Sequence, residues 1–539
     1  MISAILLRFF TPLGILSRSK LAIFGLGVHM TEIRVGQNAL YHHLGIDGIP
    51  PSVESWCGPT SRRTIIDGRR ATEKYPMIYA PPDNPVGHLK FALKNETLDM
   101  GTIAATMQVV DPHEIEDWVR DEPTGAFSRR AWFLYEWFTG KRLDLPDTTA
   151  GSYVDALNKE LNVASDGSNS SRHRVVDNML GVPGMCFTVK PTQLIEDYRS
   201  SALNARAQDI VNNAQPEVLE RAIQYLFTKE TKSSFEIERE EPTAQKAERF
   251  LAALRGTASF DPAKVNDIVS LQNVIVDQRY AANGFRDFQN FVGEDIGPDQ
   301  EKVHFICPKP EDINDLMAQW SEVTKKLRGC PDPVVAATVI AFAFVYLHPF
   351  EDGNGRIHRF LMHNILSREG FTPPNFLFPI SAAIVRDVRG YDATLENLSK
   401  PVMERTAWAW DQDYNIVVKN QTDHLFRYFD ATEHVEFIYK KIEDTVQKDL
   451  KEEITYITEF DAGYKALNKI IDMPNRKASL FVRLCLQNGG ISNKKKDLFK
   501  ELSEDEISIL EKVVRSAIAA ARAPAHDEDD ALDEPKPGT

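Results

Sequence analysis

The chain has 539 residues, 42% hydrophobic and 26% charged, which suits two to four globular domains and excludes a fibrous or low-complexity protein. A formal net charge of −15 argues against the broad basic field that tracks nucleic-acid phosphates. Five scattered cysteines (Cys57, Cys186, Cys307, Cys330 and Cys485), none in CxxC spacing, argue against a disulfide framework or a zinc site and fit a cytoplasmic location.

Residues 1–29 are apolar, but Arg8, Pro12, Arg18 and Lys20 interrupt them. No run reaches the roughly 18–20 residues of a spanning helix, so this stretch reads as a leader or as an upstream start ahead of Met30. No membrane association is expected. Residues 30–230 read as a mixed region of unassigned role, with turns at Gly48–Pro51 and Ala80–Gly87. Ala126–Gly140 predicts a helix with a buried aromatic stripe. Asp166–Arg174 reads as a solvated Ser/Arg-rich loop. From 231 to 425 the pattern is mainly helical, with helices over Ala244–Leu254, Val265–Tyr280 and Pro310–Lys326. Gly284–Pro310 predicts a short hairpin. Tyr428–Ile470 and Lys477–Ala520 read as further helices, with Lys494–Lys496 a solvated turn. The acidic tail, 523–539, is expected to be disordered.

The chemistry concentrates in one segment. Asp332-Pro333 is a helix start, and Val334 to Leu347 is apolar on every face, which predicts a central buried helix. It runs into His348-Pro349-Phe350-Glu351-Asp352-Gly353-Asn354-Gly355-Arg356-Ile357-His358-Arg359. Pro349 ends the helix. The glycine-containing turn then feeds a new helix, Arg356–Ser367, whose N terminus aims backbone N–H groups at one point, a geometry suited to phosphate. Arg356 and Arg359 share a face of that helix. Asp352 offers a hard oxygen for Mg²⁺, and His348 offers a base that titrates near neutrality.

This string matches the HxFx(D/E)GNGRxxR signature at every fixed position and resembles the Fic family. The resemblance implies a mainly α fold: a helical core with a β-hairpin flap, here flanked by an N-terminal mixed region and a C-terminal helical extension. It implies that His348 deprotonates a protein hydroxyl, Phe350 anchors the loop and Asp352 holds Mg²⁺. Gly353, Asn354, Gly355 and Arg356 would form the hole for the α- and β-phosphates of ATP, and Arg359 would engage the γ-phosphate. Phe285–Gly293 with Val303–Pro308 resembles the family's flap, which binds the target segment by strand addition. Tyr391, in Arg389-Gly390-Tyr391, lies where the family lines its nucleobase pocket; contact with adenine and simple packing both fit.

Ser233-Ser234-Phe235-Glu236-Ile237-Glu238-Arg239 resembles the family's inhibitory (S/T)xxxE(G/N) motif through Ser234 and Glu238. The resemblance implies that Glu238 pairs with Arg359 and keeps the γ-phosphate from seating. Position 239 departs from the pattern, and losing the close approach of glycine there predicts a looser brake. The resemblance covers 231–425. Residues 426–522 resemble helical extensions of bacterial Fic proteins, a winged helix being one form. The expected function is AMP transfer from ATP to a Tyr, Thr or Ser hydroxyl of a protein substrate, including the chain itself as a homodimer. The alternatives are AMP removal at the same site, another phosphate donor, or a non-enzymatic regulator.

Overall fold

The computed structural model describes residues 32–67, 70–297 and 300–522. The leader or upstream start expected at 1–29 and the disordered tail expected at 523–539 lie outside the described residues.

The N-terminal region is mixed. It opens with β1 (Ile33–Arg34), α1 (Gly36–His43), β2 (Val53–Gly58), β3 (Arg63–Asp67) and β4 (Arg70–Pro76). The sheet order is β1-β2-β4-β3, with β2 and β4 parallel and the other pairs antiparallel. Helix α2 (Pro85–Asn95) starts inside the predicted turn, because Asn84 accepts the Gly87 N–H at 2.7 Å and Pro85 suits the first position. α3 (Met100–Val109), α4 (Pro112–Asp121) and α5 (Ala126–Thr139) follow. α5 matches its prediction and buries Trp132, Phe133 and Leu134 in a core shared with α2 to α4.

Next come β5 (Val154–Asp155), β6 (Ser168–Ser170), β7 (Val175–Asp177), β8 (Gly181–Val182) and β9 (Met185–Thr188). Asp166–Arg174, read from sequence as a solvated loop, instead contains β6 and a partly buried anchor, Arg172. Arg172 donates to Glu136 at 2.7 and 2.9 Å and to Asp147 at 2.7 Å, and lies over Trp132. A composition-based reading of a Ser/Arg-rich stretch misses this because the partners sit on α5 and in the loop after it.

α6 (Gln193–Ser200) and α7 (Leu203–Asn212) lead to α8 (Pro216–Ile237), which runs without a break across residue 230, so the boundary expected there falls inside an element. α9 (Ala244–Arg255) and α10 (Val265–Ile275) precede a hairpin of β10 (Phe291–Gly297) and β11 (Gln300–Ile306). The predicted Val265–Tyr280 helix stops at Ile275, and Asp277 caps a separate tight turn at Gln278–Tyr280. α11 (Pro310–Lys326) and α13 (Asn354–Arg368) both pack on α12 (Pro333–Leu347). α12 is the axis of the core: every residue from Val334 to Phe344 is buried. Asp332 caps it by accepting the Val334 and Val335 N–H groups at 3.1 and 3.0 Å.

α14 (Ile380–Val385), α15 (Val388–Arg405), β12 (Trp408–Trp410), β13 (Ile416–Val418) and β14 (Tyr428–Asp430) complete the core with α16 (Thr432–Asp444). β14 corrects the helix predicted to start at Tyr428: it pairs in parallel with β9, Phe429 opposite Phe187. α16 passes through a π turn, Thr445–Leu450, into α17 (Lys451–Asn468). α18 (Asn475–Asn488) and α19 (Glu504–Arg522) lie on either side of the turn expected at Lys494–Lys496, and pack with α17 around Phe481, Val482 and Val514. Residues 431–522 hold no strand, so the β wing of a winged helix is not formed there. Among the described residues no helix is long and apolar enough to cross a membrane.

Candidate active site

α12 ends where His348 turns left-handed, φ 49°, while its N–H still bonds Phe344 O at 3.0 Å. Pro349 makes a further helical turn unfavourable. The imidazole Nδ1 lies 3.2 Å from Val345 O. A carbonyl can only accept, so Nδ1 carries the proton and Nε2 keeps its lone pair. Burial pushes the His348 pKa down to about 4, against a smaller opposing effect of the Val345 contact. The ring is therefore a neutral base at pH 7.

The following turn is held from within. Phe350 is 1% exposed and packs against Phe285 and Phe344. Asn354 accepts Phe350 N–H at 3.1 Å and donates to Phe350 O at 2.8 Å, so its side chain braces the loop and only its backbone faces the helix mouth. Gly353 takes φ 92°, where a side chain would be strained. Asp352 accepts from Gly353 N at 2.6 Å and Arg356 Nη2 at 2.7 Å, and its side chain is 44% exposed. That half-open carboxylate, beside a helix N terminus, is an oxygen donor of the kind Mg²⁺ takes together with substrate phosphates.

Both arginines are buried and both are engaged. Arg359 is 1% exposed; it donates through Nε to Ser234 Oγ at 2.9 Å, and through Nη2 to Ser234 O at 2.8 Å and Glu238 Oε1 at 2.7 Å. Glu238 lies directly over the N terminus of α13, where a Cβ placed on Gly355 would collide with its Oε1. Arg356, 3% exposed, meets Asp352 and also Glu240 Oε2 at 3.0 Å, with its guanidinium over the Phe235 ring. A helix N terminus with two buried guanidinium groups is an anion site, and carboxylates from the end of α8 sit at it.

The end of α8 explains how. Arg239 adopts φ 55°, Arg239 N bonds Glu236 O at 2.9 Å and Glu240 N bonds Phe235 O at 3.1 Å, closing the helix in a Schellman-type turn. The expected close backbone approach is therefore not what position 239 requires. It requires positive φ, and arginine adopts it at a strain of roughly 1 kcal/mol. Upstream, fully buried Glu230 bonds His363 Nε2 at 2.7 Å and Ser381 N at 2.8 Å, fixing α8 to α13 and α14.

Tyr391 is 5% exposed between His358 and Phe437, with the Arg359 guanidinium beside its hydroxyl; burial raises its pKa to about 12. Of the two readings left open for it, this geometry favours packing. The β10-β11 hairpin is tied to the motif by Arg286, which sequence reading left without a role. Arg286 Nε donates to His348 O at 2.8 Å, Nη1 to Phe288 O at 2.8 Å and Nη2 to Pro308 O at 2.7 Å. Its backbone N–H bonds Pro349 O at 2.9 Å. Gln272, fully buried on α10, supports the turn from below by donating to Asp352 O at 3.3 Å. Glu240 was legible only as one more acid in Glu238-Arg239-Glu240-Glu241. A separate cleft of about 790 Å³, lined in part by Asp99, Arg405 and His424, contains none of the motif residues.

Mainly helical, with a histidine at the end of a buried helix and an anion site at the start of the next, the core has the architecture of a Fic-type domain. Residues 262–366 match the Fic/DOC family. A Nematostella vectensis protein named protein adenylyltransferase Fic is 30% identical over 112 residues, 20% of this chain and 24% of that one. Protein adenylyltransferase fic-1 of Caenorhabditis elegans is 29% identical over 127 residues, 23% of each. The matches thus span about a quarter of those relatives' length. Among solved structures, a Fic family protein from Desulfovibrio desulfuricans is similar over 58% of this chain and 85% of that one, at 17% identity and a TM-score of 0.33.

Proposed function

We propose that the chain is a protein AMP transferase held inactive by Glu238. ATP's phosphates would lie over the α13 N terminus, against the backbone of Gly353, Asn354 and Gly355 and the side chains of Arg356 and Arg359. Mg²⁺, when bound, would be held by Asp352 with phosphate oxygens and would offset their charge. His348 Nε2 takes the proton of a Tyr, Thr or Ser hydroxyl on the target protein. The hydroxyl oxygen bonds the α-phosphorus, the bond to the bridging oxygen breaks, and pyrophosphate leaves. The work of the chain is placement and charge stabilisation.

One observation carries the inhibited state: Glu238 Oε1 is 2.7 Å from Arg359 Nη2 and lies against Gly355, where a phosphate oxygen would need to be. Its charge repels a phosphate and withdraws the arginine that should hold it. The acceptor could be a second copy of the chain, in a homodimer. Five free, buried cysteines fit the cytoplasm as its location.

The test is intact mass after incubation with ATP and Mg²⁺, on the protein alone and with a cell lysate. Glu238→Gly should gain AMP adducts or label lysate proteins, wild type far fewer, and His348→Ala none. If Glu238→Gly labels nothing while wild type strips AMP from modified protein, the site runs in the removal direction and the transfer reading fails.

A further inference from the structure

The N-terminal region contains a cluster that the catalytic site does not use. His43 is the last residue of α1, Asp83 precedes α2, and His88 lies in the first turns of α2. His88 Nε2 is 3.0 Å from Asp83 Oδ1, and His43 Nδ1 is 3.8 Å from the same oxygen. One ligand atom from each residue falls within 4.8 Å of the others, the only such group of three among the described residues. The two imidazoles meet edge to face at 5.5 Å.

The three residues differ in exposure in a way that suits a ligand set. His88 is 2% exposed and fixed by packing, while the side chains of His43 and Asp83 are 53% and 82% exposed. A carboxylate can only accept, so His88 Nε2 carries its proton toward Asp83, and the buried Nδ1, which has no hydrogen-bond partner, can take that proton when a cation binds Nε2.

We propose that His43, Asp83 and His88 bind a divalent cation of the zinc class. Two nitrogens and one carboxylate oxygen match borderline cations and do not match Mg²⁺ or Ca²⁺, which take mostly oxygens. Tetrahedral bonds of about 2.0–2.1 Å place ligand atoms roughly 3.3 Å apart, beside 3.0 and 3.8 Å for the two pairs that share Asp83 Oδ1. Three protein ligands leave a fourth position for water at the exposed face. The ion would pin the end of α1 to the start of α2. No cysteine takes part, so the cysteine spacing gave no sign of it.

The experiment uses the full chain, stripped with chelator, dialysed against zinc alone with excess magnesium present, and analysed for metal per chain. Wild type should retain one zinc more than His43→Ala or Asp83→Ala, two variants at exposed positions whose fold is checked by circular dichroism. His43→Cys should restore the zinc, because thiolate is also a zinc ligand. With cobalt in place of zinc, wild type should show the visible bands of a tetrahedral ion and both alanine variants should lose them. Equal zinc in wild type and both alanine variants overturns the proposal, whatever the catalytic site binds.

Discussion

Arg356 meets two acids of different origin. Asp352 comes from its own turn, four residues earlier, and Glu240 comes from beyond the end of α8. Glu240 therefore holds the first arginine of the motif much as Glu238 holds the second. Glu240→Ala should raise AMP transfer, by less than about tenfold because the pair is partly exposed and a surface-edge ion pair contributes at most about 1 kcal/mol. Initial rates beside wild type and Glu238→Gly check this, and an unchanged rate would leave Glu240 a structural contact only. Arg239→Gly should keep the brake and remove strain at φ 55°, raising the urea midpoint by an amount equivalent to about 0.5–1 kcal/mol. The string from His348 to Arg359 was legible because its residues are contiguous and its geometry is local. The Glu240–Arg356 pair was not, because it depends on how a distant turn closes, and no residue type announces positive φ when arginine adopts it.

The flap and the base are tied together by Arg286, whose three donors bind carbonyls of His348, Phe288 and Pro308. Arg286→Ala leaves three acceptors without their donor and loosens the histidine. In a Glu238→Gly background it should lower kcat by about a hundredfold, the effect of a roughly 1 Å misplacement, with little change in KM for ATP. Arg286→Lys should not restore the rate, since a single ammonium cannot span the fork. A variant whose KM rises while kcat holds would place Arg286 in substrate binding instead. At this scale α12 was fully legible: an all-apolar run, an Asp cap and Pro at the first position leave one solution. The hairpin was legible too, from its glycines and β-branched flanks. β14 was not, because a three-residue strand has no period of its own and forms only against β9, far earlier in the chain.

Among the described residues, four histidines have pKa values lowered chiefly by burial: His88, His173, His348 to about 4 and His358 to about 3. In the unfolded chain each takes up its proton near pH 6.5, while the folded protein holds His348 and His358 neutral well below that. Between those values the unfolded state binds more protons, so stability is full above about pH 6.5 and falls as pH drops toward 4, by up to about 1.4 kcal/mol per unit for each such group. The urea midpoint of the first transition should decline steadily from pH 7 to pH 5, and His358→Phe should flatten the slope; a midpoint constant over that range would contradict the assignment. The division of the chain was only partly legible from sequence, because α8 belongs to two regions at once. Its first turns pack Val218 and Ala222 against Ile457 of α17, and Arg221 bonds Asp461 there at 2.6 Å. Its last turn delivers Glu238 to the anion site. Its 22 residues make a stiff rod roughly 33 Å long, pinned at Glu230 about two-thirds of the way along. A rod pinned off-centre has the form of a lever: its long arm lies against the C-terminal bundle, and its short arm carries the carboxylate that covers the α13 N terminus.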